Sequence, residues 1–220
     1  GIRLEPDRVR FLVDTPQETL PVTVPIPGRF TVYNALGTLA CCYDLGIPLA
    51  KAIQALEKVP PVKGRLEVVP VPAPYTVVID YAHTPDALEQ VLADARRVTQ
   101  GQLLCLFGCG GDRDKTKRPV MGEIAASLSD LVILTSDNPR TEDPEAILDQ
   151  VAAGFPRGFA DYHREPDRRA AIALALSLGR AGDVILLAGK GHETYQEIGK
   201  NRLPLDEREE IASFFQKSKV

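Results

Sequence analysis

An α/β fold, with a mostly parallel sheet covered by helices on both faces, is what this 220-residue sequence predicts. Two observations carry the prediction. Tyr75 to Asp80, Leu103 to Phe107, Leu131 to Thr135 and Val184 to Ala188 are continuous apolar runs, the pattern of strands buried on both faces. Helical stretches separate them, and alternating β and α units imply a Rossmann-like sheet with functional loops at the carboxyl ends of its strands.

In chain order, apolar and polar positions first alternate from about Arg8 to Val24 around Pro16 and Pro21. This predicts short antiparallel strands that need a larger sheet to join. Two helices are expected next, Val32 to Leu45 and Pro48 to Val59, separated by Gly46 and with Pro48 in a first turn. Pro60-Pro61-Val62-Lys63-Gly64 reads as a linker, dividing residues 1–63 from 64–220. After the first apolar strand, Thr84 is a plausible cap and Pro85 a first helical residue, and Leu88, Val91, Leu92 and Ala95 then recur on one face. The helix after the second strand is expected to include Met121, Ile124, Ala125 and Leu128.

A chain that is 44% hydrophobic and 25% charged can bury a sizeable core in one or two domains. Its net charge of -4, with Lys and Arg scattered, offers no footprint for nucleic acid or anionic membrane, so small-molecule partners are expected. No apolar run approaches the roughly 20 residues of a membrane span, and no signal peptide is recognisable, so a cytoplasmic location is expected. Cys41, Cys42, Cys105 and Cys109 lack zinc-site spacing and are expected to be reduced, with no metal site. The chain opens at Gly1 and its only methionine is Met121, which suggests a fragment or processed product.

Four motifs follow the apolar strands. Asp80-Tyr81-Ala82-His83-Thr84-Pro85 places a charged group beside free amides at a helix start, although Asp80 could equally end a strand and Thr84 cap a helix. Gly108-Cys109-Gly110-Gly111-Asp112-Arg113-Asp114-Lys115 combines three glycines, which permit close backbone approach, with crowded charges; a flexible surface loop is the plain alternative. It is not a Walker A loop, and the order G-x4-G-K-[ST] is absent from the chain. Asp137-Asn138-Pro139-Arg140 presents an acid, an amide and a guanidinium, a set suited to a zwitterion, though a solvated Asn-Pro turn would look the same. Gly189-Lys190-Gly191-His192-Glu193 again pairs glycines with a charged residue, and its lone histidine is more often structural than a ligand.

Together with Tyr33-Asn34-Ala35 and Gly64-Arg65-Leu66-Glu67, these motifs resemble the Mur ligases in order and across nearly the whole chain. The closest likeness is to the diaminopimelate-adding members. The resemblance implies that residues 1–63 are the tail end of a P-loop ATPase central domain and 64–220 the carboxy-terminal amino-acid-binding domain. The family's first domain, its Walker A loop and the lysine it carbamylates have no counterpart, so the isolated chain is expected to be inactive. The implied reaction of the complete enzyme uses ATP and Mg2+ to convert a glutamate carboxylate of UDP-N-acetylmuramoyl-L-alanyl-D-glutamate into an acyl phosphate. The amine of meso-diaminopimelate then attacks it to form an amide, with no covalent protein nucleophile.

Carried over by position, Asn34, Arg65, Asp80 and His83 would face ATP. Arg113, Asp137, Asn138, Pro139, Arg140, Gly189 and Glu193 would form the diaminopimelate pocket. Diaminopimelate differs from lysine by a second carboxylate, and Arg140 is expected to stand unpaired when lysine binds, at a cost of roughly 2–5 kcal/mol. The alternatives are a non-catalytic amino-acid or nucleotide-binding module and a relative of the folylpolyglutamate synthases, which share the architecture.

Overall fold

The structure, a computed structural model, describes residues 1–5 and 7–217. They divide into two compact units, Gly1–Val62 and a second that begins at Lys63, within the proline-rich segment.

In the first unit, β1 (Arg3–Leu4), β2 (Val9–Asp14) and β3 (Thr19–Val24) form an antiparallel sheet, followed by α1 (Arg29–Asp44) and α2 (Leu49–Leu56). The β2–β3 register sets Val9 opposite Val24 and Phe11 opposite Val22. With a side-chain period of two, these four share one face, and they pack with Val32, Ala35 and Leu39 of α1 and Ala52 and Ile53 of α2. The larger sheet expected for these strands is not seen among the described residues, where β1 completes the set. Pro48 occupies the N-cap position of α2, one residue before the first turn in which it was expected.

In the second unit, β4 (Glu67–Val69), β5 (Thr76–Asp80), β6 (Leu103–Phe107), β7 (Leu131–Leu134), β8 (Tyr162–Arg164) and β9 (Val184–Ala188) form a six-stranded sheet ordered β4-β5-β9-β6-β7-β8. All neighbours pair in parallel except β4 with β5. Helices α3 (Pro85–Val98), α4 (Lys117–Leu128), α5 (Pro144–Ala152), α6 (Arg168–Leu178) and α7 (Glu207–Lys217) cover it, and a hairpin, β10 (Tyr195–Ile198) and β11 (Asn201–Pro204), precedes α7.

The apolar runs bury both faces because successive residues point to opposite sides. Val78, Cys105, Phe107 and Leu186 enter one core with Leu88, Val91, Leu92 and Ala95 of α3 and Met121 and Ala125 of α4. Val77, Ile79, Leu104, Leu106, Ile185 and Leu187 enter the other with Ala171, Ile172 and Ala175 of α6 and Ile211 of α7. Thr84 caps α3 by accepting from the Ala87 amide, and Pro85 occupies its first turn. All four cysteines are free; burial pushes the Cys105 and Cys109 thiols up to about 12, so both remain protonated near neutrality.

Candidate functional site

The loops after β6, β7 and β9 meet backbone to backbone, and glycine makes this possible. A Cβ on Gly108 would lie 2.0 Å from the Thr135 carbonyl oxygen, and one on Gly111 would lie 1.9 Å from that of Pro139. Gly189, at φ 109°, would place a Cβ 2.8 Å from Asp137 Oδ2. Beneath the loops, fully buried Arg168 donates to the Ser136 carbonyl (3.3 Å) and the Ala188 carbonyl (2.9 Å) while pairing with equally buried Glu207. The carboxyl ends of β7 and β9 are thus tied to α6 and α7.

A closed polar ring forms over this base. The Lys190 ammonium, with no exposed side-chain surface, donates to Asn138 Oδ1 and Glu193 Oε2, each at 2.9 Å. Asn138 Nδ2 donates to the same Glu193 oxygen at 3.0 Å, and Asn138 Oδ1 also accepts the Glu197 amide at 3.0 Å. Burial by itself pushes the Glu193 carboxyl up, but Lys190 and Asn138 outweigh it and hold the group below the usual range. Glu193 is therefore an ionised acceptor at neutral pH. Asp137 Oδ2 is buried without a hydrogen-bond partner among the described residues, an acceptor left open in the same loop cluster.

Arg140 sits at φ 52°, a left-handed conformation costly for a non-glycine residue. Backbone bonds from its amide to the Glu197 carbonyl (3.0 Å) and from the Gly199 amide to its carbonyl (2.6 Å) hold it there. Its Nε donates to Glu197 Oε2 at 2.9 Å and its Nη1 to the Gly111 carbonyl at 2.8 Å. The expectation of a guanidinium left unpaired without a second ligand carboxylate is therefore corrected: Glu197 already supplies a counter-charge. Arg113 is exposed and donates to the Asp112 carbonyl. Gly110 lies between the two arginines, since a Cβ there would be 3.0 Å from Arg140 Nη1 and 3.8 Å from Arg113 Cγ.

The glycine-rich loop is joined to α4 and the Glu142 loop by a buried ion pair. Arg118, fully buried, binds both Glu142 oxygens, Gln150 and the Gly110 carbonyl, and Glu142 also accepts the Asp112 amide. Arg118 beside it, helped by that amide, lowers the Glu142 carboxyl to about 2.

A second cluster gathers at the carboxyl end of β5. The Arg65 guanidinium lies 5.1 Å from the Tyr81 ring, and the His83 and His192 rings stand 4.7 and 4.9 Å from the same ring. These cationic and aromatic groups can meet a phosphate chain or a flat ring. Asp80 is committed locally, accepting the Leu66 amide at 2.7 Å and the Ala82 amide at 2.8 Å; burial nevertheless dominates those bonds and raises its carboxyl. Asn34 is exposed on α1, in the other unit.

Sequence reasoning missed Lys190, Glu197, Arg118 and Glu142 as members of the site. Lys190 had a signal, a lysine between two glycines directly after a buried strand. The others pair across 24 to 57 residues and leave no local trace.

The family model for the Mur ligase, glutamate ligase domain, matches residues 64–191. The chain is 47% identical over 208 residues to the UDP-N-acetylmuramoyl-L-alanyl-D-glutamate--2,6-diaminopimelate ligase of Clostridioides difficile, covering 94% of this chain and 43% of that protein. It is 48% identical over 206 residues to the protein of the same name in Synechococcus elongatus, covering 93% and 41%. A solved structure of a UDP-N-acetylmuramoyl-L-alanyl-D-glutamate--2,6-diaminopimelate ligase superposes with a TM-score of 0.73 at 38% identity, covering all of this chain and 45% of the other. A folylpolyglutamate synthase of Mycobacterium tuberculosis complexed with ADP shares the fold, with a TM-score of 0.70 at 20% identity over 86% of this chain and 44% of that one. The chain spans less than half the length of these relatives.

Proposed function

The chain belongs to the Mur ligase family, and from that premise we propose that it is the amino-acid-receiving part of an ATP-dependent, amide-forming ligase. The acceptor amino acid is meso-diaminopimelate. The other substrates are ATP and UDP-N-acetylmuramoyl-L-alanyl-D-glutamate, the reaction belongs to cytoplasmic peptidoglycan synthesis, and turnover requires the P-loop that these 220 residues lack.

The observation that carries this reading is the juxtaposition of Glu193, open Asp137 Oδ2, Arg113 and Arg140 on one loop cluster. Two acidic groups suit ammonium ends, and two arginines flanking Gly110 suit carboxylate ends. Diaminopimelate carries two of each. Asn138 and Pro139 set the turn, and Gly189 brings its strand end against Asp137. In the amide-forming step the C–N bond forms, the acyl C–O bond to phosphate breaks, and the amine loses a proton. The role of this chain's residues is to orient that amine.

For ATP, the Arg65, Tyr81 and His83 cluster fits a phosphate or base contact, with Asp80 bracing the turn by accepting the Leu66 and Ala82 amides; Asn34, exposed on α1 of the first unit, is a separate candidate contact. Mg2+ fits less well, because among the described residues no three His, Cys, Asp or Glu side chains gather into a cage.

Incubating the complete ligase with ATP, the nucleotide dipeptide and meso-diaminopimelate tests the reading. ADP release together with a product heavier by diaminopimelate less one water is expected. ADP release only with a different amino acid would overturn the substrate assignment.

A further inference from the structure

The β10–β11 hairpin sets Glu197 directly opposite Arg202, an arrangement in which opposite charges ordinarily pair. Here they do not. Glu197 is taken by Arg140 at 2.9 Å, and Arg202 instead lies over the Tyr195 ring, 3.3 Å from its centroid. Among the described residues no carboxylate pairs with Arg202. Tyr195 is itself held from within, since Lys190 Nζ stands 5.5 Å from the centroid of the same ring.

Arg202 borders two cavities at once. One, of about 590 Å³, is lined also by Glu193, His192 and Tyr195; the other, of about 250 Å³, is lined by Arg140, Glu197 and Asp112. It thus stands between the ionised acceptor Glu193 and the guanidinium of Arg140, whose charge Glu197 already offsets. A stacked guanidinium is oriented and weakly hydrated, which favours the two-pronged grip on a carboxylate.

Building on the proposed acceptor pocket, we infer that Arg202 is a specificity-determining residue that receives a carboxylate of the acceptor amino acid, with Tyr195 as its platform. The division of labour is physical: Arg140 enters the pocket with its charge already partly offset by Glu197, whereas Arg202 has no carboxylate partner among the described residues and adds a second cation that a ligand carboxylate can balance. A monocarboxylate with a second ammonium, such as lysine, gains less from it.

The test uses the complete ligase bearing Arg202→Gln or Arg202→Lys, with KM and kcat measured for meso-diaminopimelate and L-lysine. Arg202 is exposed, so thermal midpoints should match the parent. Arg202→Gln is expected to raise KM for diaminopimelate about tenfold or more while kcat changes less than about threefold, the loss of a charged bidentate contact. KM for lysine should move less than about threefold. Arg202→Lys, which keeps the charge and loses the fork, should fall between parent and Gln variant. An unchanged diaminopimelate KM in Arg202→Gln, or an equal rise for both amino acids, would overturn the inference and leave the proposed function standing. A parent enzyme that does not prefer diaminopimelate would instead overturn the proposed function, and this inference with it.

Discussion

Replacing Lys190 by methionine keeps the side chain's length and apolar stem but removes the buried ammonium that closes the ring with Asn138 and Glu193. Two charge-assisted hydrogen bonds of 2.9 Å are lost. Breaking a fully buried ion pair costs roughly 3–5 kcal/mol. Glu193 retains 12% of its side-chain exposure and its bond from Asn138, so the loss should be smaller, about 2–4 kcal/mol. For a folded unit of this size that corresponds to a fall of roughly 5–15 °C in Tm.

The pH dependence of that loss is the sharper test. In the native chain the folded carboxyl of Glu193 lies below its usual range, so its stabilising contribution is present above the unfolded value and disappears as pH falls through the folded one. Without Lys190, burial is opposed only by Asn138 and the more distant His192, and the folded carboxyl should rise above its ordinary range. The variant is then penalised at neutral pH and relieved by acid. Urea unfolding of both chains between about pH 7.5 and 4.5 should show the stability gap widest at the neutral end and narrowing downward. The double variant Lys190→Met/Glu193→Gln should recover part of the loss, since it removes the stranded charge. A gap below about 1 kcal/mol, or one independent of pH, would refute the reasoning.

Other perturbations follow from the same geometry. Arg140→Ala in the complete ligase should lower kcat/KM for diaminopimelate by about one to two decades and for lysine by far less, without improving lysine, because Glu197 already pairs the guanidinium; equal loss for both would mean Arg140 acts through loop shape alone. Gly108→Ala should prevent correct folding of the site, since its Cβ would lie 2.0 Å from the Thr135 carbonyl oxygen, and a soluble variant with the parent's Tm would contradict this packing. Amide hydrogen exchange should be faster in Val9–Asp14 and Thr19–Val24 than in Val184–Ala188, which is paired on both sides by β5 and β6; equal protection would show that the first unit is as stable as the second.

Local signals suffice where one segment contains its own explanation. For α3, the Thr84 cap, Pro85 and the Leu88-Val91-Leu92-Ala95 stripe lie within a dozen residues and specify start, type and buried face together. The runs at Leu103–Phe107 and Val184–Ala188 were legible because a strand buried on both faces must be apolar throughout. Edge β4 was not, since Glu67–Val69 is too short to show a period and follows the linker. The β10–β11 hairpin had a signal, Gly199 first in a two-residue turn between Ile198 and Asn201, but flanking charges masked its alternation. In the site, the motifs marked where chemistry could gather, whereas their internal pairing was invisible. Whether Arg140 faces Glu197 or a ligand depends on strands brought together only by the fold, and the same contact leaves Arg202 without a counter-charge among the described residues.

The central claim is that this loop cluster receives an amino acid with two carboxylates, and the ratio of kcat/KM for meso-diaminopimelate to that for L-lysine in the complete ligase tests it most directly. Sites built to pair a polar group reject the analogue lacking it by several orders of magnitude, so the ratio should exceed about 100. A ratio within about threefold of unity, or a preference for lysine, would contradict the account.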